Sequence, residues 1–286
     1  MSRPSAQPVD LLLVGGLTVD HFADGSTAPG GTVLHGARAA RAAGFSVGIA
    51  TVAGDEPAAH TGLLELGELA TLQAEQAAHS VPFRHDEEGA VRTLTLLDTG
   101  VALHGPIGGF RPRAVLHAPI AGEVGSDVAG QAFDGAFVAA TLQGWLRTLE
   151  PHRPVSATAL EAMEPGLVAQ LASADLLVAS EVDLSAVASE PIAQLAALRA
   201  WFGVRPILAV TLGARGALVE PPHGRRLIVL PARVIENAST TGAGDAFAAV
   251  LTASLGAGAG LSPSVNAATA AAVAYIDRMR GFSAPG

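Results

Sequence analysis

Near the C-terminus, the run Ser239-Thr240-Thr241-Gly242-Ala243-Gly244-Asp245-Ala246-Phe247 sets a carboxylate directly behind two glycines. The apolar stretch that follows, Ala246 to Leu255, reads as a helix. Glycine allows backbone conformations and close approaches that a Cβ would block. Free N–H groups at a helix start, with the positive end of the macrodipole behind them, make an anion site. The amides of Gly242, Ala243 and Gly244 are therefore expected to form an anion hole, with Asp245 in the first helical turn beside it. A carboxylate there is not needed to bind the anion and would repel it. Its chemical use is to accept a proton from a hydroxyl that attacks phosphorus. The same residues would also suit an ordinary glycine turn in which Asp245 only counters the helix dipole.

Three more segments join this one in order. Leu11-Leu12-Leu13-Val14-Gly15-Gly16-Leu17-Thr18-Val19-Asp20 opens the chain as a buried strand, with Asp20 expected at its end. Pro29-Gly30-Gly31 precedes a helical run from Thr32 to Ala43 and then Gly44. Val210-Thr211-Leu212-Gly213-Ala214-Arg215-Gly216-Ala217 reads as a strand and turn. Together the four resemble the ribokinase-like (PfkB) family of carbohydrate and nucleoside kinases. They span nearly the whole chain.

The resemblance implies ATP as donor, Mg²⁺ as cofactor, and a small sugar, polyol or nucleoside as acceptor. It makes Asp245 the general base. Asp20, Gly30, Gly31 and His35 are expected around the acceptor, and Thr211, Gly213, Thr241 and Asn266 around the nucleotide. A bidentate carboxylate such as Asp20 suits a vicinal diol. Gly122-Glu123-Val124 and Gln143-Gly144-Trp145-Leu146-Arg147 are similar to segments of a short-lid, sugar- or inositol-kinase-like branch, which adds Glu123 and Arg147 as substrate contacts. For Arg147 a solvated helix-end position is the other reading. Three positions depart from the family pattern. Ser239 stands where the signature usually begins with Asp, and His35 where many members carry Asn. Ser180-Glu181-Val182-Asp183 replaces the usual N-x-x-E, so Asp183 and Glu181 are the candidate Mg²⁺ ligands. These departures leave a non-catalytic ligand-binding or regulatory protein as the alternative.

Composition narrows the rest. All 17 Lys+Arg residues are arginine, which excludes a Walker-type lysine, a Schiff-base enzyme and a lysine base. Cys is absent, so disulfides and thiolate metal sites are excluded and a cytoplasmic location is expected. The 9 His residues show no zinc spacing. A formal charge of −9 without a basic cluster argues against nucleic acid as a partner. Hydrophobic residues make up 49%, yet Gly, Pro or charge breaks each apolar run before about 18 residues, so no membrane span is expected, and without an apolar h-region before Asp10 no secretory signal is expected either. Monomer and homodimer are both open.

The elements that must position these residues alternate as a doubly wound α/β fold, a mostly parallel sheet with helices on both faces. One domain is expected over 1–286, with a reduced β lid from short pieces around 20–30 and 82–97. Strands are expected at Val9 to Gly15, Ser46 to Val52, Ala114 to His117, around Val155, Leu176 to Ala179, Pro206 to Thr211 and Ala217 to Val219. Arg84 to Leu97 reads as a hairpin turning at Asp86-Glu87-Glu88-Gly89. Helices are expected at Thr61 to Leu69, Phe133 to Gly144, Pro165 to Ser173, Ile192 to Phe202 and Ser264 to Arg280. Gly15-Gly16 lacks the G-x-G-x-x-G spacing of a dinucleotide site.

Overall fold

A computed structural model of the chain describes residues 6–88, 91–231, 233–235 and 240–282. The chain runs β1 (Gln7–Val14), β2 (Thr18–His21), β3 (Thr27–Gly30), α1 (Thr32–Ala42), β4 (Val47–Ala53), α2 (Pro57–Leu69), β5 (Thr71–Gln76), β6 (Val81–Glu88), β7 (Val91–Leu96) and β8 (Phe110–His117). It continues with α3 (Ser126–Ala129), β9 (Phe137–Thr141), the short strands β10 (Arg147–Thr148), β11 (Arg153–Pro154) and β12 (Ser156–Ala157), and α4 (Pro165–Ala172). β13 (Leu176–Ser180), α5 (Pro191–Phe202), β14 (Ile207–Thr211), β15 (Ala217–Glu220), β16 (Leu227–Val229), α6 (Ala243–Gly256) and α7 (Leu261–Phe282) complete it.

Nine strands form the main sheet in the order β16-β15-β14-β13-β9-β8-β1-β4-β5, parallel except for β15, which runs antiparallel to both β14 and β16. Both faces are covered, which explains why β1 and β4 are apolar without alternation. Leu11 and Leu13 pack toward the α1 and α6 side, whereas Leu12 and Val14 sit in the core of the opposite face. Proline at the first turn starts α2, α4 and α5, where its missing N–H costs nothing. From β1 the chain passes outward to β4 on one side and later to β8 on the other. The crevice at the carboxyl ends of β1 and β8 is therefore a topological switch point, where open α/β sheets bind ligands.

A second sheet, β11-β7-β6-β2-β3, lies beyond that crevice. The 20–30 piece supplies the antiparallel pair β2–β3, and β6 joins β2 in parallel with Asp20 opposite Phe83. β6 and β7 make the expected hairpin, but Asp86 to Glu88 still belong to the strand, and Gly89 lies outside the described residues.

Two sequence expectations need correction. Asp20 does not end the first strand, because β1 stops at Val14 and the chain bends through Gly15-Gly16 into the lid. A Cβ on Gly15 would stand 2.4 Å from the Ala118 carbonyl oxygen, so only glycine fits the bend. Phe133 to Gly144 is not a helix. It is strand β9 followed by a 3₁₀ turn at Gln143–Trp145, set off by a turn through Gly135 at φ 73°. An apolar run that short has no period to tell a buried strand from a helix, and pairing with β8 and β13 decides it. β5 and β16 were not foreseen, since the half-exposed β5 is too polar to read as a sheet strand.

Candidate active site

Gly242 caps the start of helix α6, and its φ of 79° puts the cap in the left-handed region. A Cβ there would lie 2.7 Å from His35 Cγ and 2.8 Å from Tyr275 Cε1, so glycine is required by conformation and by space. The Ala243 N–H is not free, because it donates to the Thr240 carbonyl at 3.1 Å and closes the turn. This corrects the expected trio of anion donors. Gly242 and Gly244 retain amides with no acceptor among the described residues, and Gly244 has nothing within 4 Å of where its Cβ would be.

Asp245 follows in the first turn and lines a cleft of about 630 Å³ between the main sheet and the lid sheet. Burial raises its carboxyl above the ordinary carboxylate range, while His35, Thr32 and Arg147 pull it partly back. The lid side of the cleft holds Asp20, with His85 Nε2 3.1 Å from its Oδ1. Phe22, from the β2–β3 turn, stacks on the His85 ring. Gly30 does not itself line the cleft. A Cβ there would fall 2.6 Å from both Asp20 Oδ2 and Thr18 Oγ1, so its absence makes room for the Asp20 carboxylate. Gly31, at φ 100°, does line it.

Arg147, on β10, also lines the cleft and donates to the Ile120 carbonyl at 3.1 Å. Among the described residues it has no carboxylate at ion-pair distance. Burial pulls its guanidinium below its ordinary value, while Asp183, Asp245 and Glu123 nearby favour the charged form. His35 lines the cleft from α1, with Nδ1 2.7 Å from the Tyr275 hydroxyl.

Other expected residues land differently. Glu123 is only 2% exposed and accepts the N–H groups of Gly16, Ile120 and Ala121. It braces the Ile120 turn against the glycine bend and does not face the substrate. Asn266 is exposed on α7 outside the cleft; Thr269, one turn later, lines it instead. Thr211, Gly213 and Thr241 do line the cleft. Ser239 lies outside the described residues. Glu181 lines the cleft but is ion-paired with Arg215. Asp183 is buried, and its Oδ2 accepts from the Ser180 N–H at 3.0 Å and hydroxyl at 2.6 Å. No group of three metal-ligating side chains occurs among the described residues.

Several cleft residues escaped the sequence. Phe83 and His85 alternate onto one face of β6, a period-2 signal that was available. Gln143 and Thr18 lie inside segments quoted above but were not singled out there. Val234 and Ile235 face the cleft, as do Ala272, Val273 and Ile276 of α7.

The comparisons agree with this geometry. The family model described as pfkB family carbohydrate kinase matches residues 129–281, more than half of the chain. No curated protein matches significantly. Among solved structures, a pyrophosphate-dependent kinase in the ribokinase family, complexed with a pyrophosphate analog and myo-inositol, is similar with a TM-score of 0.74 and 17% identity, covering 93% of this chain and 94% of that one. Arabidopsis thaliana ribokinase complexed with ribose and ATP gives 0.71 at 15% identity, covering 94% and 92%. Fructokinase from Vibrio cholerae O395 gives 0.66 at 20% identity, covering 96% and 100%.

Proposed function

Because this chain belongs to the pfkB family of carbohydrate kinases, we propose that it transfers the terminal phosphoryl group of ATP to a hydroxyl of a small sugar or polyol. The observation that carries this reading is the position of Asp245. Its carboxyl opens to the same cleft as Asp20 and His85 on the lid side and the free amides of Gly242 and Gly244 on the helix side. The acceptor hydroxyl oxygen attacks the terminal phosphorus while its proton passes to Asp245. The bond from that phosphorus to the bridging oxygen breaks, and ADP leaves. The Gly242 and Gly244 amides and the Arg147 guanidinium face the charge on the transferring group, where preorganised donors count most. Asp20, beside His85, accepts hydrogen bonds from hydroxyls of the acceptor and sets which hydroxyl reaches Asp245.

ATP is favoured over pyrophosphate by the rest of the cleft. Val234 and Ile235 on one wall and Ala272, Val273 and Ile276 on another leave an apolar slot that inorganic pyrophosphate would not use. Mg²⁺ would neutralise phosphate charge when bound, keeping most of its waters and few carboxylates. Glu181 in the cleft, which Arg215 would have to release, and the Asp183 oxygen without a hydrogen bond among the described residues fit that modest demand.

The test is release of ADP or phosphate with ATP and pyrophosphate as alternative donors, against ribose, fructose, myo-inositol and nucleosides. Asp245→Asn should lower kcat by about 10²–10⁴ while leaving acceptor binding in place. Equal turnover by that variant would refute the assignment, and tight acceptor binding without any turnover would favour a ligand-binding protein.

A further inference from the structure

His35 occupies a position at which the cleft, the α6 cap and a chain of polar groups meet. Its Nδ1 is 2.7 Å from the Tyr275 hydroxyl, and the two rings meet edge to face at 79°. Arg38 NH1 approaches the same hydroxyl oxygen at 3.5 Å, while its Nε and NH2 hold the two Glu65 carboxylate oxygens at 2.6 and 2.7 Å. A guanidinium has donors only. Pinned by Glu65, Arg38 can present only N–H to the Tyr275 oxygen, and the phenolic proton of Tyr275, a residue only 1% exposed, has His35 Nδ1 as its one acceptor among the described residues. That nitrogen then acts as the acceptor, and the neutral ring carries its proton on Nε2.

We propose that Glu65, Arg38 and Tyr275 fix His35 as its Nε2–H tautomer, making it a specificity-determining residue that offers the acceptor one fixed N–H donor. This deepens the kinase reading and rests on it for the word acceptor. A side-chain amide at this position could flip and serve as donor or acceptor. The held imidazole cannot, so the acceptor must bring an oxygen lone pair to it. An amino group in place of that hydroxyl, protonated at neutral pH, would meet an N–H and be rejected. The charged and titratable groups facing the ring are Asp245 on α6, Arg38 on its own helix, Asp20 on β2, Glu65 on α2 and Tyr275 on α7. Burial opposes its protonation more than the nearby carboxylates favour it, which agrees with a neutral ring at pH 7.

Long-range proton–nitrogen NMR on the labelled, ligand-free protein reads the tautomer directly, with His35 identified by its loss in His35→Asn. The expected result is Nε2–H in the parent and a mixture of tautomers in Tyr275→Phe. An Nδ1–H ring in the parent overturns the proposal without any variant, as does an unchanged tautomer in folded Tyr275→Phe. In kinetics with the best acceptor, His35→Leu should raise KM about tenfold, the effect of one hydrogen bond, and His35→Asn should restore most of it. Equal KM for His35→Leu and the parent also overturns it. Absence of turnover by the parent on every acceptor counts against the kinase reading, and the tautomer spectrum still decides the fixed-donor claim.

Discussion

Asp245 is held between opposite pulls, with burial favouring the neutral carboxyl and the cation of Arg147 favouring the carboxylate. The net direction is upward, so the proton-accepting form is lost at a higher pH than for an exposed aspartate. Turnover should therefore be constant at high pH and fall as pH drops through a point above about 4. Arg147 is one of the groups that favour the carboxylate, beside His35 and Thr32. Arg147→Gln should move the acid limb of the kcat profile further up, besides lowering the plateau. A limb that stays in place would mean that Arg147 does not face the base. Glu123, which looked equally functional in sequence, is tied up by backbone amides, and Glu123→Gln should act on stability more than on kcat.

Helix α6 and its cap show what separates the two glycines of one motif. Gly242→Ala would force a side chain into the left-handed region and into the His35 and Tyr275 rings, at a cost of about 1–3 kcal/mol. Gly244→Ala meets open space and replaces a poor helix former with the best. The first variant should melt lower than the parent and the second at or above it, yet both should lose activity, because the added methyl of Gly244→Ala enters the phosphate side of the cleft. Thermal melts beside ADP-release assays check the pair; an unstable Gly244→Ala would contradict it. The G-A-G-D stretch was legible because its chemistry is contiguous. So were the buried strands β1, β4 and β14, whose apolar runs stop at glycine or charge. The 133–144 segment was not, since only its sheet neighbours separate strand from helix. Nor was the side-chain chain from Glu65 to His35, because Tyr275 lies 240 residues from His35 and a lone tyrosine in a helix carries no signal. Asp20 was expected at the end of the first strand and lies in the lid instead, because the bend at Gly15 is set by the Ala118 carbonyl, distant in sequence.

At the scale of the whole molecule, the closely packed parallel sheet also buries a titratable group that the chemistry does not use. His117 closes β8 between Val14 and Ala140, is 2% exposed, and finds no partner for either ring nitrogen among the described residues. Burial pushes its pKa from 6.5 down to about 4. In the unfolded chain the same ring titrates near its ordinary value. As pH falls from about 6.5 to about 4, the unfolded state takes up a proton that the folded state refuses, and stability is lost across that window. At 1.36 kcal/mol for each pKa unit the loss approaches about 3 kcal/mol below the lower value. Carboxylates held down by hydrogen bonds, such as Asp10 and Glu65, lose their contribution mainly at lower pH, as they protonate. His35, also lowered by burial, acts in the same direction in both proteins, so the difference between parent and variant isolates His117. His117→Leu should match or exceed the parent at pH 7, having no ring nitrogens to bury, and its advantage should grow steadily down to about pH 4. Urea denaturation of both proteins at several pH values measures this directly. A parent and variant whose stabilities run parallel between pH 7 and pH 4 would show that His117 takes up its proton as readily in the fold as in the unfolded chain, and would overturn the prediction.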